Sequence, residues 1–430
     1  MTLTQPSPLL HSAAAARFAL PAAPTARCLH QIRTLRQTDR TTLRDTLELS
    51  QPSVARHVST LIDAGLVEQV AAPESSSRGG RPGTRLLPDG RHLTFLGAHV
   101  GLRITQLVAC DATGRILAHR KLPLDMAVVD PGDALEAIGH GLAALAPANS
   151  PVVCAGLALS AHVDEAGLVS SETYGWDHVD AASRVAAQIN VPVAVAGGVA
   201  AMAAHELAAT PLANTRTMPA DAKPSQPDST LYFYAREFVG HAWIFNGAVH
   251  RPHSGAASRA FQRIGAQGSF AASPPGGTHP LSSTALLSAA ASKGIPARNV
   301  AELVRIGRPG ADPHGLERSG SVGADQTQEA AKLLDERAEL LSRSIALAVD
   351  IVDPQSLVFA GEAFTVDPQA IRVVARTLRN QPGIPRNLRL QTASSSILLD
   401  AAKTVALNAL WSNPLEVLHE RFGAELPTAN

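Results

Sequence analysis

Several kinds of residue are scarce in this 430-residue chain, and each scarcity excludes a class of protein. Cysteine occurs three times, as Cys28, Cys110 and Cys154, and no two form a CxxC pair. This number and spacing argue against a disulfide framework and against a zinc site built on thiolates, and they suit a reducing cytoplasm. No run of about twenty apolar residues occurs, so the sequence predicts no membrane span.

Net charge is also absent, because 37 basic residues balance 37 acidic ones. A footprint for nucleic acid must therefore be local. Residues 1–92 carry eleven Arg against seven acids, and no Lys precedes Lys121. The basic segment at the start of the chain is where contact with nucleic acid is expected.

The length predicts two or three domains, because a single core rarely grows this large. Residues 1–26 are rich in Ala and Pro and lack the charged start and compact apolar run of a signal peptide. We expect them to form a disordered leader. A winged helix-turn-helix is expected at 27–90 and a larger α/β domain at 91–430.

Residues 27–70 predict three short helices and the start of a strand. The apolar stripe of the first helix is formed by Cys28, Leu29, Ile32 and Leu35. A second helix is predicted at 41–47. Ser50 then stands as an N-cap with Pro52 just inside the third helix, and Gly65 can adopt left-handed backbone at its end. The polar, Gly-rich stretch 73–83 between two short strands completes the order of a winged helix.

From residue 92 onward, strands alternate with helices, which indicates an α/β sheet covered on both faces. The predicted strands are 92–100, 104–110, 116–122, 152–159, 191–196, 231–245 and 356–360, with a turn at 111–114. The predicted helices are 134–145, 179–189, 199–208, 328–352 and 398–411. Residues 209–229 and 306–328 are interpreted as polar surface segments.

The second helix of a helix-turn-helix lies in the major groove, where its first side chains reach base edges. Here the polar side chains away from the apolar face are Gln51, Ser53, Arg56, His57 and Thr60. Arginines in a flexible hairpin can hold phosphates or enter a minor groove, and the wing offers Arg78, Arg81 and Arg85. The alternative is a three-helix packing module with a solvated polar face.

Short motifs in a consistent order resemble the ROK family (repressors, open reading frames and sugar kinases), in its repressor branch. They are Arg78-Gly79-Gly80-Arg81-Pro82, the stretch from Leu96 to Gly114, Gly175-Trp176, Asn246-Gly247, Asp353-Pro354 and Ala360-Gly361. The resemblance covers residues 27–411. It implies a winged helix followed by two actin-like α/β lobes around a cleft.

This sequence departs from the family's kinases at both phosphate loops. Their Asp-x-Gly-Gly-Thr hairpin, where backbone amides approach the anion, corresponds to residues 99–103, which begin with His99 and end with Arg103. Their Gly-Thr-Gly loop corresponds to residues 236–238, where Glu237 would repel a phosphate. The resemblance therefore implies weak or no binding of nucleotide.

The family's catalytic and zinc residues are replaced as well. The Asn-Asp pair that supplies the general base corresponds to Gly197 and Gly198, and no Asn-Asp pair occurs anywhere in the chain. The Glu-x-Gly-His that contacts sugar and zinc corresponds to residues 259–262, and the cysteine cluster is absent. No catalytic residue, cofactor or metal is expected. His241, His250 and His253 leave a different metal site open, with a polar loop as the alternative.

Repressors of the family commonly sense a sugar or sugar phosphate in the cleft. The residues that the resemblance brings to such a site are Trp176, Thr173, Gly198 and Arg259. Trp176 is equally compatible with a place in the core. The large domain then senses a small molecule, or binds none and serves as a dimerisation scaffold.

Three hypotheses for function follow. The first is a DNA-binding transcriptional regulator without kinase activity, acting as a homodimer on double-stranded operator DNA. The second is an interaction scaffold that has kept the fold without binding DNA, and the third is a sugar kinase. The predicted helices 328–352 and 398–411 are candidates for the dimer contact, since two-fold operators mirror two-fold proteins.

Overall fold

The computed structural model describes residues 15–71, 84–212, 229–253, 258–272, 278–309, 323–379, 387–391 and 396–423. The helices are α1 (Pro24–Leu35), α2 (Arg40–Leu47), α3 (Gln51–Asp63), α4 (Pro131–Ala143), α5 (Ala181–Ile189), α6 (Gly198–Ala209), α7 (Arg259–Gly265), α8 (Ser283–Ser292), α9 (Val300–Gly307), α10 (Ala324–Val352), α11 (Glu362–Thr365), α12 (Pro368–Arg379), α13 (Ile397–Ser412) and α14 (Pro414–Phe422).

The strands are β1 (Val67–Ala71), β2 (Thr84–Pro88), β3 (Thr94–Val100), β4 (Ile104–Cys110), β5 (Ile116–Pro123), β6 (Val152–Leu159), β7 (His162–Val163), β8 (Val169–Ser171), β9 (Trp176–Val179), β10 (Val193–Gly197), β11 (Ser229–Ala235), β12 (Val239–Phe245), β13 (Ala248–Val249), β14 (Ser356–Ala360) and β15 (Asn387–Leu390). The chain divides into two compact units. The first unit comprises residues 1–227, 246–255 and 395–430, and the second comprises residues 228–245 and 256–394.

The first unit begins with a three-helix head followed by a two-stranded wing. The apolar faces of α1, α2 and α3 meet in one cluster with the wing residue Leu86. The strands β1 and β2 pair antiparallel, with Val67 opposite Pro88. Gly65 has a φ of 67°, the left-handed backbone that lets the chain leave α3 for β1. The predicted winged helix-turn-helix is confirmed.

The head is followed in the first unit by a five-stranded sheet in the order β10-β6-β3-β4-β5. β3, β4 and β5 form an antiparallel meander, while β6 and β10 run parallel to β3. Helix α13 packs so closely that a Cβ added at Gly156 would lie 2.3 Å from Ala406 N, and one at Gly97 would lie 2.9 Å from Ala402 O. Glycine at these two positions allows the helix to lie against the sheet.

The second unit has a sheet in the order β12-β11-β14-β15, in which β14 and β15 run parallel to β11. The long helix α10 lies in its core with α9 and α12. The predicted alternation of strands and helices in an α/β fold is confirmed in both units. Helix α10 begins four residues earlier than the predicted 328, and α14 follows the helix that was expected to be the last. Residues 213–228 and 310–322 lie outside the described residues.

The prediction of a disordered leader over residues 1–26 is corrected for residues 15–26. Ala16 N donates to Val195 O of β10 at 2.8 Å, and Leu20 N donates to Gly247 O at 2.7 Å. Phe18 is buried, and α1 begins at Pro24. Hydrogen bonds to distant strands fix this segment, which we call the strap (residues 15–23), although its own composition is typical of disorder.

Candidate functional site

Helix α3 is held at its start by its cap and along one face by the core. Ser50 Oγ accepts a hydrogen bond from Ser53 N at 3.3 Å, as the sequence predicts for an N-cap. Val54, Val58 and Leu61 are buried. The opposite side exposes Gln51 and Arg56, with Ser53, His57 and Thr60 partly exposed. The predicted DNA-contacting side chains of α3 therefore lie outside the core.

Arg56 is the exposed cation near the middle of this helix. In the part of the chain that the structure describes, no carboxylate lies within ion-pair distance of its guanidinium. Thr60 Oγ1 donates to Arg56 O at 2.9 Å, which turns that hydroxyl back onto the helix. Within the described residues, all five guanidinium donors of Arg56 stay available for an outside acceptor, while Thr60 has its donor engaged.

His57 has a partner within the head. Its Nδ1 lies 2.8 Å from Thr25 Oγ1 of α1, within hydrogen-bond distance. Partial burial lowers the pKa of His57, and the charge of Arg56 adds to this effect. The imidazole is therefore neutral near pH 7, and one of its two nitrogens joins α3 to α1.

The base of the wing is joined to the turn between α1 and α2. Thr38 N donates to Leu86 O at 3.1 Å, and Leu86 N donates to Thr38 O at 2.8 Å. Arg85 Nη1 donates to Gln37 Oε1 at 3.3 Å, so this predicted DNA contact also ties the wing to the helices. Arg78 and Arg81 lie outside the described residues.

Helix α1 joins the head to α6 through side chains that the sequence did not single out. Arg33 Nη2 donates to Ala208 O at 2.6 Å, and His30 Nε2 lies 2.8 Å from Thr210 O. The last carbonyls of a helix have no donor within the helix, and α1 supplies donors to this end of α6. Polar residues next to the apolar stripe of α1 were the available signal, but most such residues are solvated.

Gly198, which the family resemblance matches to the catalytic base of the kinases, lies at the carboxyl end of β10, where α6 begins. Gly198 is buried, and a Cβ added to it would lie 3.2 Å from Leu159 O and 3.4 Å from His99 Nε2. His99, which stands where the family's kinases have Asp, is 3 % exposed. Glycine at this position has no side chain that could accept a proton.

Two further candidates for a ligand site, Thr173 and Trp176, belong to the same unit as Gly198 but differ from each other in exposure. Thr173 is partly exposed. Trp176 is 3 % exposed and belongs to the core of its unit. Its ring packs edge-on against Tyr174 with 5.5 Å between centroids, and its Nε1 has no acceptor among the described residues. Trp176 is therefore first of all a core residue.

In the second unit, two carboxylates of the protein bond to the first turn of α8. One of them, Glu237, belongs to the turn that the family resemblance matches to the kinases' second phosphate loop. Glu237 Oε2 accepts from Thr284 N at 3.2 Å, in the first turn of α8. Glu362 Oε2 accepts from Ser283 Oγ at 2.7 Å beside it. A helix N-terminus attracts anions, and here side-chain anions already fill it. Arg259, also in this unit, is the exposed first residue of α7.

Among the described residues, no group of three or more His, Cys, Asp or Glu is arranged to hold a metal ion. All three cysteines are buried and unbonded to each other, and burial raises the pKa of Cys28 to about 11. Within the same ranges, every helix is too short or too polar to cross a bilayer.

No family model matches the chain. It is similar, however, to known proteins in sequence and to solved structures in fold. A transcriptional regulator of Mycobacterium tuberculosis is 30 % identical over 387 residues, which are 87 % of this chain and 83 % of the relative. A transcriptional regulator of Mycobacterium bovis matches with the same figures.

Among solved structures, the chain is similar to a ROK family transcriptional regulator, a homologue of the E. coli MLC protein. The TM-score is 0.65 at 16 % identity over 91 % of this chain and 98 % of that one. A ROK glucokinase from Streptomyces griseus, in complex with glucose and AMPPNP, has a TM-score of 0.52 at 18 % identity over 73 % of this chain and 99 % of its own. At these identities the structures show the shared fold.

Proposed function

The chain belongs to the ROK family of transcriptional regulators, and on this premise we propose that it binds double-stranded operator DNA through α3 and the wing and has no kinase activity. The observation that carries the proposal is the exposed guanidinium of Arg56, which has no ion-pair partner among the described residues, on a helix anchored by its opposite face. In a helix-turn-helix this is the helix that enters the major groove. The DNA-binding domain is residues 27–90, with the rest of the chain from 91 forming the regulatory part.

Arg56→Ala tests the DNA-binding half of the proposal. We expect it to cost about 1–3 kcal/mol of affinity for DNA from the promoter region next to its own gene. Fluorescence anisotropy at several salt concentrations measures both affinity and the number of phosphate contacts. The matched control is Arg120→Ala, an exposed arginine on the edge strand β5. Equal affinity of the two variants for the promoter would contradict a role of α3 in recognition.

The absence of kinase activity rests on the two strand ends described above. Gly198 offers no general base, and Glu237 occupies the N-terminus of α8 with a negative charge. We expect no turnover of ATP with any hexose above the background rate in a coupled assay. Hexose-dependent formation of ADP by the pure protein, retained through further chromatography, would show that a different residue acts as base.

The proposal includes control by a small molecule, a sugar or a derivative, that contacts the region of Gly198 and Thr173. Helix α6 begins at Gly198, and its last turn is bonded to α1 of the head. A ligand that displaces the first turn of α6 would therefore shift the helix against α1, which packs beside the DNA-binding helix α3. A ligand can shift DNA affinity only by its differential affinity for the two states, typically about 5–150-fold. Anisotropy titrations with hexoses and hexose phosphates measure this shift, and constant DNA affinity across the panel would argue for a scaffold.

A homodimer is the proposed active form, because a two-fold protein matches a two-fold operator with half-sites one helical turn apart. Sedimentation velocity of the full chain with and without DNA measures the stoichiometry. We expect two chains for each operator. A single chain on each DNA duplex, at full occupancy, would contradict this part of the proposal.

A further inference from the structure

A small cavity lies where the head meets the remainder of the first unit. It is bounded by the strap, α1, α6 and α13, and its volume is about 30 Å3. A water needs at least about 10–15 Å3, so the enclosed part of the cavity has room for about two waters, or for the carboxylate group of a small acid whose remaining atoms extend to its open side. Its lining is largely apolar and includes Phe18, Leu20, Leu207 and Trp411. None of the residues that we assigned to DNA or to a sugar lies on it.

Arg33 is a cation on the lining of this cavity, and one of its donors has no partner among the described residues. Arg33 Nη2 donates to Ala208 O at 2.6 Å, and the guanidinium carbon lies 3.7 Å from the centroid of the Trp411 ring. Its Nε is buried and has no hydrogen-bond partner among the described residues. The guanidinium is therefore held on one edge by Ala208 O and on one face by Trp411, while its Nε–H has no acceptor.

The charge of Arg33 has no counter-ion in the parts of the chain that the structure describes. Burial alone lowers its pKa to about 10, with no opposing effect from an acid. His30, which also lines the cavity, is neutral near pH 7, because burial and the charge of Arg33 lower its pKa to about 4. The nearby Asp400 already pairs with Lys403 at 2.9 Å. A partly buried cation without a partner is costly, and an anion against its guanidinium would offset that cost.

We propose that this cavity binds a small carboxylate, with its anionic group on the Nε side of Arg33 and its short hydrocarbon part against the apolar lining. The apolar wall favours such a molecule over phosphate or sulfate, which are hydrated on every side. The bound molecule touches α1, α6 and α13 at once, so it stiffens the connection between the head and the sheet of its unit. This site lies at the opposite end of α6 from Gly198, and its occupancy does not depend on the DNA-binding proposal.

Propionate is the probe for binding, with the full chain and constant ionic strength. We expect propionate to raise the unfolding temperature by several degrees in a saturable way, because a ligand that binds the folded state stabilises it. The neutral isostere propionamide and sodium chloride are expected to have no such effect. An equal rise with propionamide, or with chloride, would overturn the proposal by showing apolar filling or an adventitious ion only.

Variants locate the effect. Arg33→Gln is expected to abolish the propionate-dependent rise, and Arg33→Lys, which keeps the charge without the fork, to weaken it at least about tenfold in concentration. The control is Arg36→Gln, which neutralises an exposed arginine directly after the same helix and should retain the full rise. A rise that persists in Arg33→Gln overturns the assignment.

The wild-type protein offers a readout that survives if the Arg33 variants fail to fold. Trp411 carries the stacked guanidinium, so propionate should change its fluorescence, and Trp411→Phe should remove the change while keeping the rise in unfolding temperature. No fluorescence change at saturation, as judged by the unfolding temperature, would contradict binding at this cavity.

A second arm tests coupling to DNA and does rest on the proposed function. Saturating propionate should change promoter affinity about fivefold or more in the wild type and not in Arg33→Gln. Stabilisation without that change overturns the coupling and leaves the binding site standing. Stabilisation of a protein that binds no DNA at all overturns the DNA-binding proposal and leaves this cavity assigned.

Discussion

Helices α1 and α3 are neighbours in the same three-helix head, yet their polar side chains have different surroundings. On α1, Gln31 and Arg33 bond to the end of α6 and the residues after it. On α3, Gln51 and Arg56 are exposed. Both helices are amphipathic and polar on one side, so residue type does not distinguish them. The neighbouring elements, and not the residue types, therefore determine whether the polar side of a helix is bonded or exposed.

This comparison separates two kinds of effect. Changes on α1 should alter the stability of the head within its unit, and changes on the exposed side of α3 should alter affinity for DNA. Ile32→Ala and His30→Gln test the first expectation, and Ser50→Ala tests the second.

The largest loss is expected for Ile32→Ala. Ile32 is fully buried in a cluster that joins α1 to α13, and removing such a side chain costs about 2–5 kcal/mol of unfolding free energy. Urea denaturation measures the cost, and DNA affinity of the folded protein should stay within about twofold because the exposed face of α3 is intact. Leu35→Ala, on the same helix and 37 % exposed, is the control with a clearly smaller loss. Similar losses at both positions would mean that α1 is not anchored as described.

A pH dependence should sharpen the role of α1. Burial lowers the pKa of His30 to about 4, whereas an unfolded histidine titrates near 6.5. As pH falls below 6.5 the unfolded chain takes up a proton that the folded protein refuses, so stability falls with pH down to about pH 4.

Between pH 7 and pH 5.5 this histidine alone should remove about 1 kcal/mol of unfolding free energy. His30→Gln can still donate to Thr210 O and carries no titrating group, so the difference in slope between wild type and variant isolates the effect. Parallel pH profiles for the two proteins would contradict a neutral His30 at the junction.

A comparably small loss of stability is expected for Ser50→Ala at the start of α3. The lost cap should cost about 1 kcal/mol of unfolding free energy, and fraying of the first turn should weaken DNA binding as well. Ser59→Ala, exposed within the same helix, is the matched control and should leave stability unchanged or slightly raised, since Ala is the better helix former. A loss of DNA affinity in Ser59→Ala alone would move the recognition face along α3.

Local signals predict much of this fold. The cap at Ser50 and the glycine at Gly65 bound α3 within one residue of the structure, and the apolar runs bounded by turn residues give β6 and β14 their observed ends. No prediction covers α7, α8 and α9. Helix α8 consists largely of small residues and carries little periodicity, whereas α9 has an Asn299 cap and apolar residues at helical spacing, so its sequence held a signal that the prediction did not use. The strap was missed for a different reason, since its hydrogen bonds reach strands that lie far away in sequence.

The candidate sites divide along the same line. Exposed residues of α3 follow from helix geometry, so Gln51 and Arg56 lie where the pattern predicts. His57 and Arg85 have partners from other elements that no spacing rule reveals. Gly198 is equally informative in the sequence and in the structure, because both show that the position has no side chain. The cavity beside Arg33 required the structure, since four separate stretches of the chain build its walls.

The strap has a topological consequence for the head. The chain is already bonded to β10 and to the turn before β13 before it enters α1, and it re-enters the sheet directly at β3 after the wing. The winged helix is thus an insertion with two anchored ends rather than a bead on a single tether. A domain on a single flexible tether loses orientational entropy when it binds DNA. With both ends of the winged helix anchored, much of that entropy is already lost during folding.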